Sequence, residues 1–139
     1  MNGTFRAIHF GAVLRIFSLP LLVLAVALLF LALGVYRLIP WADVPLHLAG
    51  SMALAVSYYL LLRQLRRADA VVPLPAALGG LFVVAAVVTT GVLWEFLEFV
   101  ADAAEPLLQM QASVANTMGD LVLDLAGGML GVFFFRREF

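Results

Sequence analysis

The sequence predicts an all-α membrane protein, a four-transmembrane-helix bundle with both termini cytoplasmic. Three observations carry that expectation. Of 139 residues, 65% are apolar and 12% charged, against about 45–50% apolar in soluble domains. The apolar residues fall into four stretches, each close to the roughly 20 residues that one helical crossing needs. All eight basic residues are arginines, and seven of them fall on one side of the membrane that those four stretches define. A soluble fold of this size could not bury so much apolar surface, so lipid is the expected solvent.

The first stretch runs from about residue 16 to 35. Its length exceeds the roughly 7–15 residues of a signal-peptide core, so it is expected to be retained as a span despite the loosely cleavage-like Ala32-Leu33-Gly34. Before it, Phe5, Ile8, Phe10 and Val13 suggest a short interfacial helix. The second span, about 44–62, opens on Asp43 as N-cap with Pro45 in the first turn, both favoured there. The third, about 74–100, follows Pro73 and Pro75, and the fourth covers about 114–135. Arg6, Arg15, Arg63, Arg66, Arg67, Arg136 and Arg137 lie on one side and Arg37 on the other. That asymmetry sets the direction by the positive-inside rule. Tyr36 and Trp41 then fall at the outer interface and Tyr58 and Tyr59 near the inner one. The chain reads as a single transmembrane domain, 1–139, without internal repeats.

Several functions are disfavoured. No basic stripe interleaved with aromatics suggests nucleic acid. With no cysteine there are no disulfides and no thiolate metal site. Neither a Gly-rich phosphate loop nor a lysine is present. Ser51 stands one turn from His47, but nothing completes the nucleophile, base and orienter of a serine hydrolase.

The informative residues are the acids. Asp43 and His47 are spaced i, i+4, as are Asp120 and Asp124; Glu95 and Glu98 are spaced i, i+3. Each pair shares one face of its helix. Under the expected topology, spans two and four start outside and span three ends there. His47 lies about 6 Å below Asp43, and Asp120 and Asp124 about 6 and 12 Å below Asn116, at 1.5 Å per residue. Three helices thus bring carboxylates to one depth, with Asp102 and Glu105 at the rim. Those seven acids would carry −7 against Arg37 and His47. Ionisable groups within membrane segments are costly and are functional-site candidates. Protonation or a bound cation would relieve the repulsion. Carboxylates with one imidazole suit Mg²⁺, Mn²⁺ or Ca²⁺ where oxygen dominates, and Zn²⁺ or Fe²⁺ where His47 joins. The expected metal ligands are Glu95, Glu98, Asp120, Asp124, His47 and Asp43, with His47 either a ligand or a supporting partner whose ring Asp43 orients.

Plainer readings compete. Asp43 serves equally as a helix cap, His47 as its i+4 partner, and Glu98 and Asp102 as solvated helix-end acids. Glu95, Asp120 and Asp124 have apolar neighbours on both sides and are harder to explain that way, although a cation-free polar network would also hold them. Gly127 and Gly131, with Gly119 and Gly128, read as helix packing, as do Ala49, Gly50, Ser51, Ala53 and Ser57.

Asp43-Val-Pro-Leu-His47-Leu-Ala-Gly50 resembles the stretch that opens a span in the VanZ-like and YjdF-like small bacterial membrane proteins. Trp94-Glu95-Phe-Leu-Glu98 resembles their Glu-x-x-Glu segment, and Asn116-Thr-Met-Gly-Asp120-Leu-Val-Leu-Asp124-Leu-Ala-Gly-Gly128 their terminal span. VanZ-like proteins often carry Lys after the first Asp, where this chain has Val44, and Asn or Gln where it has Asp124 or Glu98, so the likeness is nearer the YjdF-like group. It implies a compact multi-pass protein of the bacterial inner membrane with a shared polar site.

The leading expectation is therefore an outward-facing site binding a divalent cation of unassigned identity, serving metal-dependent chemistry on a lipid-linked substrate. A proton- or cation-coupled carrier and an accessory subunit with a structural polar network are the alternatives. Expected partners are membrane lipids and such a substrate, with a homodimer left open and no nucleic acid.

Overall fold

The computed structural model describes residues 10–108, 110–111 and 113–135. Those residues form six helices and no strand: α1 (Phe10–Ile16), α2 (Ser18–Ala32), α3 (Val35–Leu38), α4 (Val44–Arg67), α5 (Ala76–Ala104) and α6 (Val114–Phe135). Three of them, α4, α5 and α6, are long and apolar enough to cross a membrane; the α1–α2 pair adds a fourth crossing if its 63° bend is taken within one span. The chain is an all-α membrane protein.

The bend has a cause in the sequence. Pro20 lacks an amide donor and its ring crowds the carbonyl four residues back, which belongs to Ile16, the last residue of α1. Ser18 Oγ donates to Arg15 O at 2.8 Å across the break. A short helix, α1, is found where the interfacial helix is expected; Phe5 and Ile8 lie outside the described residues, as do Arg6, Arg136 and Arg137. At its other end α2 stops at Gly34, whose φ of +69° suits a residue without Cβ.

Helix α6 has the expected bounds, α5 starts two residues later and ends four later than expected, and α4 runs five residues further, through its arginines. Arg66 and Arg67 occupy its last turn, where cations complement the helix dipole. Beyond Ala68, Asp69 adopts φ +52°. Asp69 N donates to Arg66 O (3.1 Å) and Ala70 N to Leu65 O (3.0 Å), the paired bonds of a Schellman stop. A short carboxylate side chain tolerates this left-handed position better than most non-glycine residues. At the start of α6, Ser113 Oγ accepts from Asn116 N at 3.1 Å, a cap of the ordinary kind.

The packing is inverted relative to a soluble protein. On α5, Glu95 and Glu98 are buried while Leu93, Phe96, Leu97, Phe99 and Val100 are exposed. Ser51, Ser57, Asp120 and Asp124 are also buried. Small residues allow α6 to approach closely on two sides. A Cβ at Gly127 would collide with Ser51, one at Gly131 with Ala55, and one at Gly128 would press on Val87 at 3.3 Å. Close approach through small residues is how membrane helices gain packing energy. Gly131→Val should therefore lower unfolding stability in mixed micelles by about 1–3 kcal/mol, an ordinary overpacking cost. Gly119 has no neighbour within 4 Å of an added Cβ, so Gly119→Ala should leave stability level or raise it by up to about 1 kcal/mol.

Candidate metal centre

The start of α4, the end of α5 and the start of α6 meet at one end of the bundle, and the acids of the three helices meet with them. His47, Glu95 and Asp120 each offer one ligand atom, and these atoms lie within 4.8 Å of one another. Glu95 is 5% and Asp120 2% exposed, so water does little to stabilise either charge. Ligand atoms around one ion at about 2.1 Å stand roughly 3–4 Å apart, so a cation would need to draw these three together by about an ångström.

Each remaining acid has a distinct position. Asp43 accepts from Val44 N at 2.8 Å and from Asn116 Nδ2 at 2.9 Å, which makes it both a cap of α4 and a tie to α6. Asn116 Nδ2 also donates to Asp120 Oδ2 at 2.8 Å, bridging the two carboxylates. Asp124 Oδ1 lies 3.4 Å from His47 Nδ1. The imidazole thus has its carboxylate partner on α6, and not in Asp43 one turn back on its own helix. The backbone below His47 is held as well: Ser51 Oγ donates to His47 O at 2.6 Å. Glu98 is 8% exposed.

Two buried carboxylate oxygens in this cluster have no hydrogen-bond partner, Glu95 Oε1 and Asp124 Oδ2. Buried polar oxygens are almost always satisfied, and an unsatisfied one costs about 1–3 kcal/mol, more when charged. The two differ in surroundings. Asp124 Oδ2 lies against the bare Cα of Gly91, where any Cβ would collide with it. Glu95 belongs to the triad, and its other oxygen, Oε2, accepts from Gln111 Nε2 at 3.4 Å. One oxygen of Glu95 is held by the loop and the other is left for a further partner. The residues present therefore fit a divalent cation in number, donor type and unfilled valence.

Gln111 and Gly91 are contributions that sequence reasoning missed. Gln111 sits in a linker without periodicity. It is positioned by Asp102, which accepts from Met110 N (2.9 Å) and Gln111 N (2.8 Å). Asp102 is thus an anchor for the loop and not a solvated rim charge. Gly91 did carry a signal: with Glu95 and Glu98 it forms an i, i+4, i+7 stripe, so a small residue on the acidic face was visible. Tyr36, on α3 at the mouth of the site, donates to Ala27 O at 3.2 Å. Burial, then the Glu98 and Asp43 carboxylates, push its hydroxyl up to about 12, so it remains a donor at neutral pH.

A family model described as "Predicted membrane protein (DUF2238)" matches residues 5–138. The chain belongs to that family. Family membership covers the whole bundle, including all three helices that supply the acidic centre. An uncharacterized protein of Thermotoga maritima is 36% identical over 98 residues, which amount to 68% of this chain and 47% of that protein. The chain thus spans about half the length of that relative. No solved structure matches.

Proposed function

We propose that this DUF2238 chain is a multi-pass protein of the bacterial inner membrane that holds one divalent cation between α4, α5 and α6. The supporting observation is Glu95 Oε1: a buried carboxylate oxygen without a partner, in a triad with His47 and Asp120. His47 Nδ1 lies against Asp124; a neutral imidazole donating there would leave Nε2 to hold an ion, the usual arrangement of a metal-bound histidine and its carboxylate. One nitrogen and two carboxylates suit Zn²⁺, Mn²⁺ or Fe²⁺. Glu95 and Asp120 would balance the charge of such an ion, which would remove their own mutual repulsion. A cation there supplies Lewis acidity, and metal-dependent chemistry on a lipid-linked substrate is the reading that uses it. The arginine asymmetry supports cytoplasmic termini and a site opening outward, with α1–α2 as the fourth, bent crossing. The three motifs shared with VanZ-like and YjdF-like proteins support placing the chain near the latter.

One observation favours a second reading, in which the polar groups only fix helix register. Asn116 ties Asp43 on α4 to Asp120 on α6 with two ordinary hydrogen bonds. Metal analysis separates the two. Protein reconstituted in nanodiscs should bind Mn²⁺ or Zn²⁺ one to one, with a rise in Tm, and Asp120→Asn should lose both. Absence of stoichiometric metal and of any Tm shift with Mg²⁺, Mn²⁺, Ca²⁺ or Zn²⁺ leaves the structural network as the better account.

A further inference from the structure

A cavity of about 270 Å³ lies beside the proposed metal triad and shares His47 with it. Its walls come from α2, α4 and α5. Both α2 and α5 pack against α4, and the cavity occupies the cleft between them. From Asp43 to Leu54 the α4 wall covers roughly 16 Å at 1.5 Å per residue. The two ends differ in chemistry. One end carries Tyr36, Asp43, His47, Glu98 and Asp124; the rest is lined by groups such as Pro20, Leu21, Leu24 and Leu54. Phe17 and Thr90 also line the cavity, and Tyr58 joins the two. Tyr58 stacks edge-on against Phe17, ring centroids 5.6 Å apart, and its hydroxyl lies 2.6 Å from Thr90 Oγ1.

The charge at the polar end is one-sided. Asp43, Glu98 and Asp124 line it and no arginine does; Arg37 instead donates to Leu107 O in the loop after α5. His47 can offset one carboxylate, and Asp124 is its partner. Asp124 is 5% exposed and keeps a second oxygen without a donor. None of these three acids belongs to the triad, so their charge remains whether or not a metal is bound. A negatively charged head group would meet carboxylates here, whereas a primary ammonium would meet Glu98 and the second oxygen of Asp124; Asp43 already accepts from Val44 N and Asn116 Nδ2 and adds only its charge.

We infer that this cavity binds a single-chain amphiphile with a primary ammonium head, the head at Glu98 and Asp124 beside His47 and the chain along α2 and α4 toward Phe17. The chain enters from the hydrocarbon of the membrane, in which α2 already stands. The head stays at the end of the bundle where α4 begins and α5 ends.

The test uses Trp94, which lines the cavity. In Trp41→Phe protein in nanodiscs it is the sole tryptophan, since the chain has two. Bromoalkyl amines should quench it saturably. Affinity should rise about fourfold per added methylene, the hydrophobic gain of one buried CH₂, and stop rising once the chain passes Phe17 and leaves the cavity. At equal chain length the amine should bind roughly tenfold or more tightly than the alcohol, the range of a charge-assisted hydrogen bond, and the alkyl phosphate more weakly than either. Leu24→Phe, which fills the apolar part away from the acids, should weaken amine and alcohol alike while Mn²⁺ binding persists. Glu98→Gln should remove the preference for the amine and keep the chain-length dependence. Equal or tighter binding of the phosphate, quenching that grows with chain length without limit, or wild-type affinity in Leu24→Phe overturns the inference. The head-group series on unsubstituted residues decides it even if a variant fails to fold. Running the series with EDTA and with Mn²⁺ separates it from the metal reading, because amine preference without metal binding sinks only the latter.

Discussion

Substitutions around the triad should grade metal affinity steeply by position. Glu95→Gln, Asp120→Asn and His47→Ala each delete a ligand and should abolish stoichiometric Mn²⁺ or Zn²⁺ binding. Asp124→Asn should weaken binding about 10- to 100-fold without abolishing it, the usual cost of removing the partner that orients a ligating imidazole. Asp43→Asn should change affinity least, because its two carboxylate oxygens are taken by Val44 N and Asn116 Nδ2 and not by the ion; the amide oxygen keeps one of those two bonds. The order can be read by isothermal titration on nanodisc samples. Acidification should weaken binding in the wild type, since protons compete for the imidazole and both carboxylates. In Asp120→Asn any residual affinity should depend less on pH, as one competing site has gone. A flat series, in which Asp43→Asn costs as much as Glu95→Gln, would mean that the polar groups act as one structural network.

The contrast between those residues also marks what the sequence could and could not say. The meeting of α4, α5 and α6 at one end followed from hydropathy and arginine placement, because spans of fixed length alternate direction. That argument placed His47, Glu95, Asp120 and Asp124 at one depth. Depth does not determine rotation. Which carboxylate faces the imidazole depends on how far α6 turns about its axis, and that is set by Gly127 and Gly131 meeting Ser51 and Ala55. The glycines were legible as packing residues, but their partners on α4 were not. Hence Asp43, the i−4 neighbour, was the natural partner for His47 on one helix, whereas the folded chain supplies Asp124. The break between α1 and α2 was less hidden. Pro20 stands inside the first apolar stretch, and a hydropathy window registers only that the stretch is apolar, not that its backbone lacks a donor.

Gly91 gives the sharpest test of the bundle's geometry. It faces α6 directly under Asp124, and an added Cβ would collide with Oδ2, approach Cγ at 2.9 Å and Cβ at 3.3 Å. Contact with three atoms of one short side chain leaves no single torsion that relieves the overlap, so either the helices separate or Asp124 turns away from His47. Gly91→Ala should cost about 1–3 kcal/mol through overpacking. If Asp124 leaves the imidazole, breaking that buried pair raises the loss toward about 3–5 kcal/mol. Metal affinity should fall together with stability, although Gly91 has no ligand atom. The double variant Gly91→Ala/Asp124→Ala separates the two consequences. Removing the carboxylate makes room for the new methyl, so stability should recover by about 1 kcal/mol or more relative to Gly91→Ala alone, a coupling expected of residues in direct contact. Metal affinity should not recover, because His47 still lacks its partner. Additive losses in the double variant would show that Gly91 and Asp124 do not meet, and would remove the α5–α6 register on which the triad depends.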